Sequence, residues 1–203
     1  MKSIQSLFAS FMLLCLLSVS TLSWATTAED AQAQLQSAIN KVLANPQKLN
    51  DLGWIKELSS QIFDFKRMSM LALGPNWKSA TPAQQNQFAT EFGELLVRTY
   101  STSLLKAMES GETFKIMYLP ITEGERNADK PKIRTKVEQG SNKKMAAVDY
   151  DMYLYEGQWK VWNVSIEGVS LVNNYRSEFA NDVSTVGMDG LIKKIAASNQ
   201  KSK

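Results

Sequence analysis

Two carboxylates, Asp149 and Asp151, come nearest in this chain to the spacing of a catalytic or metal-binding pair. In a strand, residues two positions apart share one face, so the two side chains would lie side by side. Such a pair could act as acid and base, or hold Mg²⁺ or Ca²⁺ through oxygen ligands. Lys132, Arg134 and Lys136 have the same spacing on the strand across the predicted hairpin. A solvent-exposed ladder of opposite charges explains both sets, and the sequence favours it over a catalytic site.

Histidine is absent from the chain, and Cys15 is its only cysteine. This composition excludes Ser-His-Asp and Cys-His catalysis and the usual zinc, copper and iron sites. The sequence also contains no G-x-x-x-x-G-K-[ST], G-x-G-x-x-G or H-E-x-x-H motif. Carboxylates, lysines, tyrosines and an oxygen-ligated cation remain as sources of chemistry. We therefore expect that the protein is not an enzyme, with an acid–base enzyme built on Asp and Tyr as the alternative.

Residues 1–25 have the pattern of a cleaved secretory signal peptide. Lys2 supplies the positive charge, Leu7 to Val19 the apolar region, and Ser23-Trp24-Ala25 the small-x-small cleavage signal. In a lipoprotein signal, a small residue precedes the cysteine that is lipidated. Here Leu14 precedes Cys15, so we expect that Cys15 is not lipidated.

The mature chain, residues 26–203, has the length of a single domain and ends in a polar tail at 198–203. Cleavage removes one of the 23 basic residues, Lys2, and none of the 20 acidic ones, which leaves 22 against 20. This excess of positive charge is too small to predict a nucleic-acid partner.

The hydrophobic periodicity changes twice along the mature chain. Helical spacing predicts helices over 28–44, 48–63, 64–73 and 82–108, the last beginning at a Thr81-Pro82 cap. Alternation predicts strands over 114–119, 132–138, 145–155 and 159–166. From Ser170 the spacing is helical again as far as Gly187, and Asp189 can cap a short final helix. This order predicts an α+β fold, with a curved antiparallel sheet of about four strands and several helices packed on one face.

Apolar and aromatic side chains recur on one side of the long helix and on one face of the strands. They either fill an ordinary core or line a cavity between helices and sheet, and composition does not separate the two. Polar-tipped aromatics and methionines would suit an adaptable cavity wall. The residues that we predict to line such a cavity are Phe92, Leu96, Tyr100, Leu104, Ile116, Ile133, Val148, Tyr150, Met152, Trp162, Val164, Ile166 and Val172.

Three segments closely resemble the MlaC family, the toluene-tolerance auxiliary component of an ABC transport system. They are the run Leu73-Gly74-Pro75-Asn76-Trp77 through Gln85, the long helix through Tyr100, and the run from Glu167-Gly168-Val169-Ser170 to Gly187-Met188-Asp189-Gly190-Leu191. The similarity extends over nearly the whole mature chain in the same order.

The resemblance implies a periplasmic phospholipid carrier of the Gram-negative envelope, without catalytic residues. It implies a bound phospholipid as cargo and no cofactor. The implied partners are an inner-membrane ABC transporter with an MCE-domain subunit and an outer-membrane lipoprotein–porin complex, between which the carrier shuttles glycerophospholipid.

A carrier of this kind must enclose the acyl chains of its lipid. Exposing about 30 methylenes to water costs on the order of 24 kcal/mol, at about 0.8 kcal/mol each. We therefore expect the sheet and the helices to enclose an apolar lipid cavity that binds both chains. A small periplasmic enzyme and an interaction module with a dry core are the alternatives on the same fold.

Overall fold

The structure is a computed structural model that describes residues 27–126, 129–140 and 144–201. The predicted signal peptide and residues 202 and 203 lie outside the described residues. Within the described part of the chain, every helix is too short or too polar to cross a membrane. The elements in chain order are α1 (Ala28–Leu43), a 3₁₀ turn (Pro46–Lys48), α2 (Leu52–Ile62), α3 (Phe65–Leu73), α4 (Pro75–Ser79), α5 (Pro82–Glu109), β1 (Phe114–Tyr118), α6 (Glu123–Arg126), β2 (Lys132–Gln139), β3 (Lys144–Tyr155), β4 (Gln158–Ile166), β5 (Val169–Ser170) and α7 (Leu171–Lys201).

Side-chain caps begin α3 and α5 at the predicted residues. Asp64 Oδ1 accepts a hydrogen bond of 2.8 Å from the backbone N–H of Arg67. Thr81 and Gln84 form a capping box before α5, and Pro82 occupies the first helical position. These local interactions satisfy backbone N–H groups that have no partner within the helix, which is why both helices begin there.

The strands form one open antiparallel sheet in the order β1-β2-β3-β4-β5. The predicted strands correspond to β1 through β4, while β5 is a short addition that pairs Ser170 with Ser165. The helices pack on one face of this sheet, as expected for an α+β fold.

A β-bulge changes which residues of β4 face the helices. Asp151 pairs with Asn163 whereas Met152 pairs with Val161, so Trp162 is the extra residue on β4. The strict alternation predicted for this strand is wrong at that point. Its consequence for the predicted cavity residues is described below.

Gly187 interrupts α7 with φ 71° and ψ 176°, a conformation that glycine adopts without strain. The predicted helix end therefore lies at this residue. Beyond it, helix extends to Lys201, so residues 198–201 of the predicted polar tail are helical. Asn199 holds this end in place, because its Nδ2 donates to the backbone oxygen of Glu91 at 3.0 Å and to Glu91 Oε2 at 2.8 Å.

Buried apolar side chains form three clusters around the interior. The first joins α3, α5 and α7, and its centre is a group of rings in which Phe179 contacts Phe88 at 5.3 Å and Phe92 at 5.2 Å between centroids. The second lies between α1 and the sheet and includes Met152. The third joins α2 to α5 around Ile55. The space between these clusters is the cavity described next.

Candidate functional site

A cavity of about 320 Å³ lies between the sheet and the helices. Its lining is aliphatic and aromatic, apart from two serine hydroxyls and two phenols, and no charged side chain belongs to it. The lining residues are Val42, Leu49, Ile55, Ser59, Phe63, Phe65, Met68, Leu96, Val97, Tyr100, Ser101, Leu104, Val148, Tyr150, Val164, Ile166 and Leu171.

The helical wall comes chiefly from α5. Leu96, Tyr100 and Leu104 follow one another at four-residue steps, which places them on one side of the helix. Tyr100 is 40% exposed, so at this residue the cavity wall reaches the protein surface. Leu96 is buried, and the wall therefore runs from the interior to the rim within about one helical turn.

The connector between α2 and α3 places two phenylalanines on the cavity wall. Phe63 and Phe65 stack at 5.8 Å between centroids, and Asp64 lies between them. The backbone N–H of Asp64 donates to the oxygen of Val161 at 2.9 Å, and Phe63 forms a parallel bridge with the same residue. This pairing along β4 holds the connector against the sheet and thereby positions both rings.

The opposite wall comes from β3 and β4. Val148 pairs with Ile166, and Tyr150 pairs with Val164. Residues that are paired across antiparallel strands share a face, so these four side chains form one patch. The patch is continuous because all four lie on the same side of the bulge.

Burial raises the pKa of the phenols around the cavity. The pKa of Tyr150 rises well above its ordinary value through burial, with a smaller contribution from the nearby Tyr118. Burial raises the pKa of Tyr118 to about 12, and it also raises that of Tyr100. All three phenols are neutral near pH 7, as ordinary phenols are, and can donate hydrogen bonds.

The structure brings many of the predicted residues together on the cavity wall. Those that line it are Leu96, Tyr100, Leu104, Val148, Tyr150, Val164 and Ile166. They come from the middle of α5 and from the ends of β3 and β4 that lie beyond the bulge.

Other predicted residues do not line the cavity, and four of them are buried in clusters with other elements. Phe92 and Val172 belong to the cluster between α3, α5 and α7. Ile133 and Met152 are buried beneath α1. Ile116 is half-buried on β1, next to Val137 of β2.

Trp162 is the predicted residue whose face was assigned wrongly. As the extra residue of the bulge it leaves the row formed by Val161 and Val164, which both belong to the cluster beneath α1. It lies instead near Arg67, whose guanidinium carbon is 5.8 Å from the Trp162 ring centroid and 4.2 Å from that of Tyr153. The bulge shifts the apolar positions from Trp159 and Val161 to Val164 and Ile166, which a strict period of two cannot place on one face.

Helices α2 and α3 and the segments beside them contribute residues to the cavity wall that are absent from the predicted set. A signal existed in Phe63 and Phe65, two aromatic residues on either side of a helix-capping Asp64 at the spacing of a strand. The cavity-lining residues absent from the prediction are Val42, Leu49, Ile55, Ser59, Phe63, Phe65, Met68, Val97, Ser101 and Leu171.

Asp149 and Asp151 lie on the sheet face opposite the cavity. Asp151 forms an ion pair of 3.1 Å with Lys132 and accepts a hydrogen bond of 2.8 Å from Asn163 Nδ2. Asp149 is paired in register with Arg134, although the guanidinium of Arg134 bonds Glu125 at 3.0 Å. The arrangement is a ladder of charges on the outer face, and no acidic cluster among the described residues could hold a metal ion.

Comparison with known proteins assigns this chain to a family. A model of the MlaC protein family matches residues 25–197, and the chain belongs to that family. Toluene tolerance protein ttg2D of Pseudomonas putida is 28% identical over 112 residues, which are 55% of this chain and 49% of ttg2D. The matched region thus spans about half the length of that relative.

A solved structure extends the comparison to three dimensions. It is a phospholipid-binding protein from Ralstonia solanacearum, determined in complex with a phospholipid. The two chains are 30% identical, with a TM-score of 0.72 over 85% of this chain and 98% of the other. The match confirms the predicted α+β fold.

Proposed function

We propose that this protein binds a glycerophospholipid, enclosing its acyl chains in the cavity and leaving its headgroup at the surface. The observation that carries the proposal is the apolar, uncharged lining of a 320 Å³ cavity. Ligand sites are typically about 300–1,000 Å³ and mostly apolar, so the cavity has the size and character of one. The phospholipid complex of the Ralstonia solanacearum relative supports the same assignment.

The chemistry of the lining determines which part of the lipid enters. Each methylene moved from water into an apolar site gains about 0.8 kcal/mol, whereas a charged group without a partner there is strongly destabilised. Acyl chains therefore suit this cavity and a phosphate does not. The exposed Tyr100 marks a place where a headgroup can remain in water.

We propose further that the protein is the soluble periplasmic component of an ABC-type lipid transport system, carrying phospholipid between the two membranes. Its proposed partners are an inner-membrane ABC transporter with an MCE-domain subunit and an outer-membrane lipoprotein–porin complex. The predicted signal peptide at 1–25 and membership of the MlaC family support this role. The nearly balanced charge also favours release from anionic membranes, which would retain a polybasic surface.

The geometry supports a carrier over the two alternatives. An acid–base enzyme would need a carboxylate or an ionisable phenol in the cavity. The aspartates lie on the opposite face, and burial raises the pKa of both cavity phenols, Tyr100 and Tyr150. An interaction module with a dry core would have no internal space of 320 Å³.

A matched pair of substitutions in α2 tests lipid binding. Ser59 lines the cavity and its neighbour Ser60 is exposed. Ser59→Phe places a ring in the space for acyl chains, and we expect at least about a tenfold loss of lipid affinity. Displacing a few methylenes at about 0.8 kcal/mol each exceeds the 1.4 kcal/mol that corresponds to tenfold. Ser60→Phe should bind as the unchanged protein does.

The measurement is solvent extraction and mass spectrometry of lipid bound to each protein, purified from the Gram-negative envelope. Absence of phospholipid from the unchanged protein would contradict the proposed function. Full lipid occupancy in folded Ser59→Phe would show that the lipid binds elsewhere.

A further inference from the structure

Two phenols on the helix-facing side of the sheet have no hydrogen-bond partner. Tyr150 lies on the cavity wall and is partly buried, and no described residue bonds its hydroxyl. The Tyr118 hydroxyl is fully buried and also unpaired among the described residues. Folded proteins pair nearly all such groups, so two unpaired phenols in one region need an explanation.

Its place on the cavity wall makes Tyr150 a hydrogen-bond donor within reach of the cargo. A phenol is protonated near pH 7, and no charged side chain lines the cavity to accept its proton. Tyr118 does not line the cavity, so Tyr150 is the one of these two unpaired phenols that a bound molecule can reach. Tyr100 differs from it, because at 40% exposure its hydroxyl can bond water.

A glycerophospholipid offers one kind of acceptor that can enter such a site. The phosphate carries charge, which an apolar cavity without a cation excludes. The acyl-ester carbonyl is neutral, accepts hydrogen bonds, and lies where the chains join the glycerol. It can therefore enter with the chains and pair with an unpaired donor on the cavity wall.

We propose that Tyr150 donates a hydrogen bond to an acyl-ester carbonyl of the bound lipid, so that the cavity selects ester-linked over ether-linked lipids. This inference rests on the proposed function, since it names the chemical class of lipid that the same cavity prefers. Ether lipids with the same chains and headgroup lack the carbonyl and would leave the Tyr150 hydroxyl unpaired.

Competition between two synthetic lipids tests the inference. The full protein, stripped of lipid, is incubated with equal amounts of diacyl and dialkyl glycerophosphoethanolamine of matched chain length, and bound lipid is quantified by mass spectrometry. We expect the protein to bind about three to ten times more ester lipid than ether lipid, because one hydrogen bond changes the affinity by about that factor. Tyr150→Phe should reduce the ratio to near one while still binding lipid.

Tyr155→Phe is the matched control, because Tyr155 is 50% exposed and absent from the cavity lining. It should keep the ratio of the unchanged protein. A ratio near one in the unchanged protein, or a ratio that persists in Tyr150→Phe, overturns the inference while the proposed function stands. Binding of neither lipid overturns both together.

Discussion

At the scale of single residues, polar groups in the interior differ in whether they have partners. The Thr135 hydroxyl donates to the backbone oxygen of Val148 at 2.7 Å, and Asn163 bonds Asp151, Ser170 and the backbone of Val172. The Tyr118 hydroxyl has no partner among the described residues. A buried hydroxyl of this kind opposes folding instead of stabilising it.

Removal of the Tyr118 hydroxyl should therefore stabilise the lipid-free protein. We expect Tyr118→Phe to raise the free energy of unfolding by about 1 kcal/mol, because the desolvation cost of an unpaired hydroxyl is about 1–3 kcal/mol. Urea denaturation measures the change, and the exposed Tyr155→Phe should remain within about 0.5 kcal/mol of the unchanged protein. A loss of stability in Tyr118→Phe would indicate that the hydroxyl has a partner after all.

At the scale of elements, a cluster of ion pairs ties α2 to α5 at the cavity. Glu94 accepts from Lys56 Nζ of α2 at 2.8 Å and from Arg98 Nε of its own helix at 2.7 Å. The hydrogen bond from Lys56 is the largest cause that lowers the pKa of Glu94, and Arg98 adds to it. The charge of Glu94 thus helps hold α2 over the cavity.

The Glu94 contacts predict a specific dependence of stability on pH. A carboxyl group whose pKa is lowered by folding stabilises the protein at pH values above its ordinary pKa of 4.5. This contribution is lost as the pH falls through the lowered pKa of the folded protein. We expect Glu94→Gln to lower the free energy of unfolding by about 0.5–1 kcal/mol at neutral pH. The loss is small because solvent screens the charge of Lys56. The difference should shrink below pH 4.5 and vanish once the pH lies below the lowered pKa of Glu94 in the folded protein.

Denaturation of both proteins across this pH range measures the difference. Glu57→Gln, at an exposed position of α2, is the control and should show no such trend. A difference that stays constant with pH would show that the Glu94 charge is not its source.

The elements also show why part of the cavity could be predicted. Residues of β3 and β4 beyond the bulge obey simple alternation, so Val148, Tyr150, Val164 and Ile166 were placed on the correct face. Trp162 was not, because inserting one residue shifts the phase of everything on one side of it. The α2–α3 connector was missed since its pairing with Val161 is long-range, and the local spacing of Phe63 and Phe65 does not identify the strand that they contact.

At the scale of the whole molecule, the cavity means that the lipid-free protein lacks contacts that a filled core would have. The space of about 320 Å³ is enclosed by three separate clusters and not by one continuous core. Side chains facing a void lose dispersion contacts on that side. A bound lipid would restore them, which links stability to occupancy.

Removing the lipid should consequently lower the melting temperature. At a lipid concentration about 100 times its Kd, binding contributes about 2.7 kcal/mol, which corresponds to roughly 5–10 °C for a chain of this length. Calorimetry before and after solvent extraction measures the shift, and adding phospholipid should reverse it. Equal melting temperatures in the two states would contradict occupancy of the cavity.

The amino-acid sequence by itself determined the main helices and strands and several of their ends. Caps such as Thr81-Pro82, the break at Gly187 and the change of hydrophobic period act over a few neighbouring residues, so they can be identified without the fold. The resemblance to the MlaC family likewise needed only the order of its segments.

Only the tertiary structure decided which apolar residues surround the cavity. Phe92 and Leu96 lie one turn apart on the same stripe of α5, yet Tyr175 and Phe179 of α7 cover Phe92 while Leu96 borders the open space. Periodicity defines the buried side of a helix or strand, but it contains no information on which element packs against that side. A cavity forms where no helix or strand packs against the buried side of its neighbours. Its position therefore depends on the long-range packing of all the helices and strands around it.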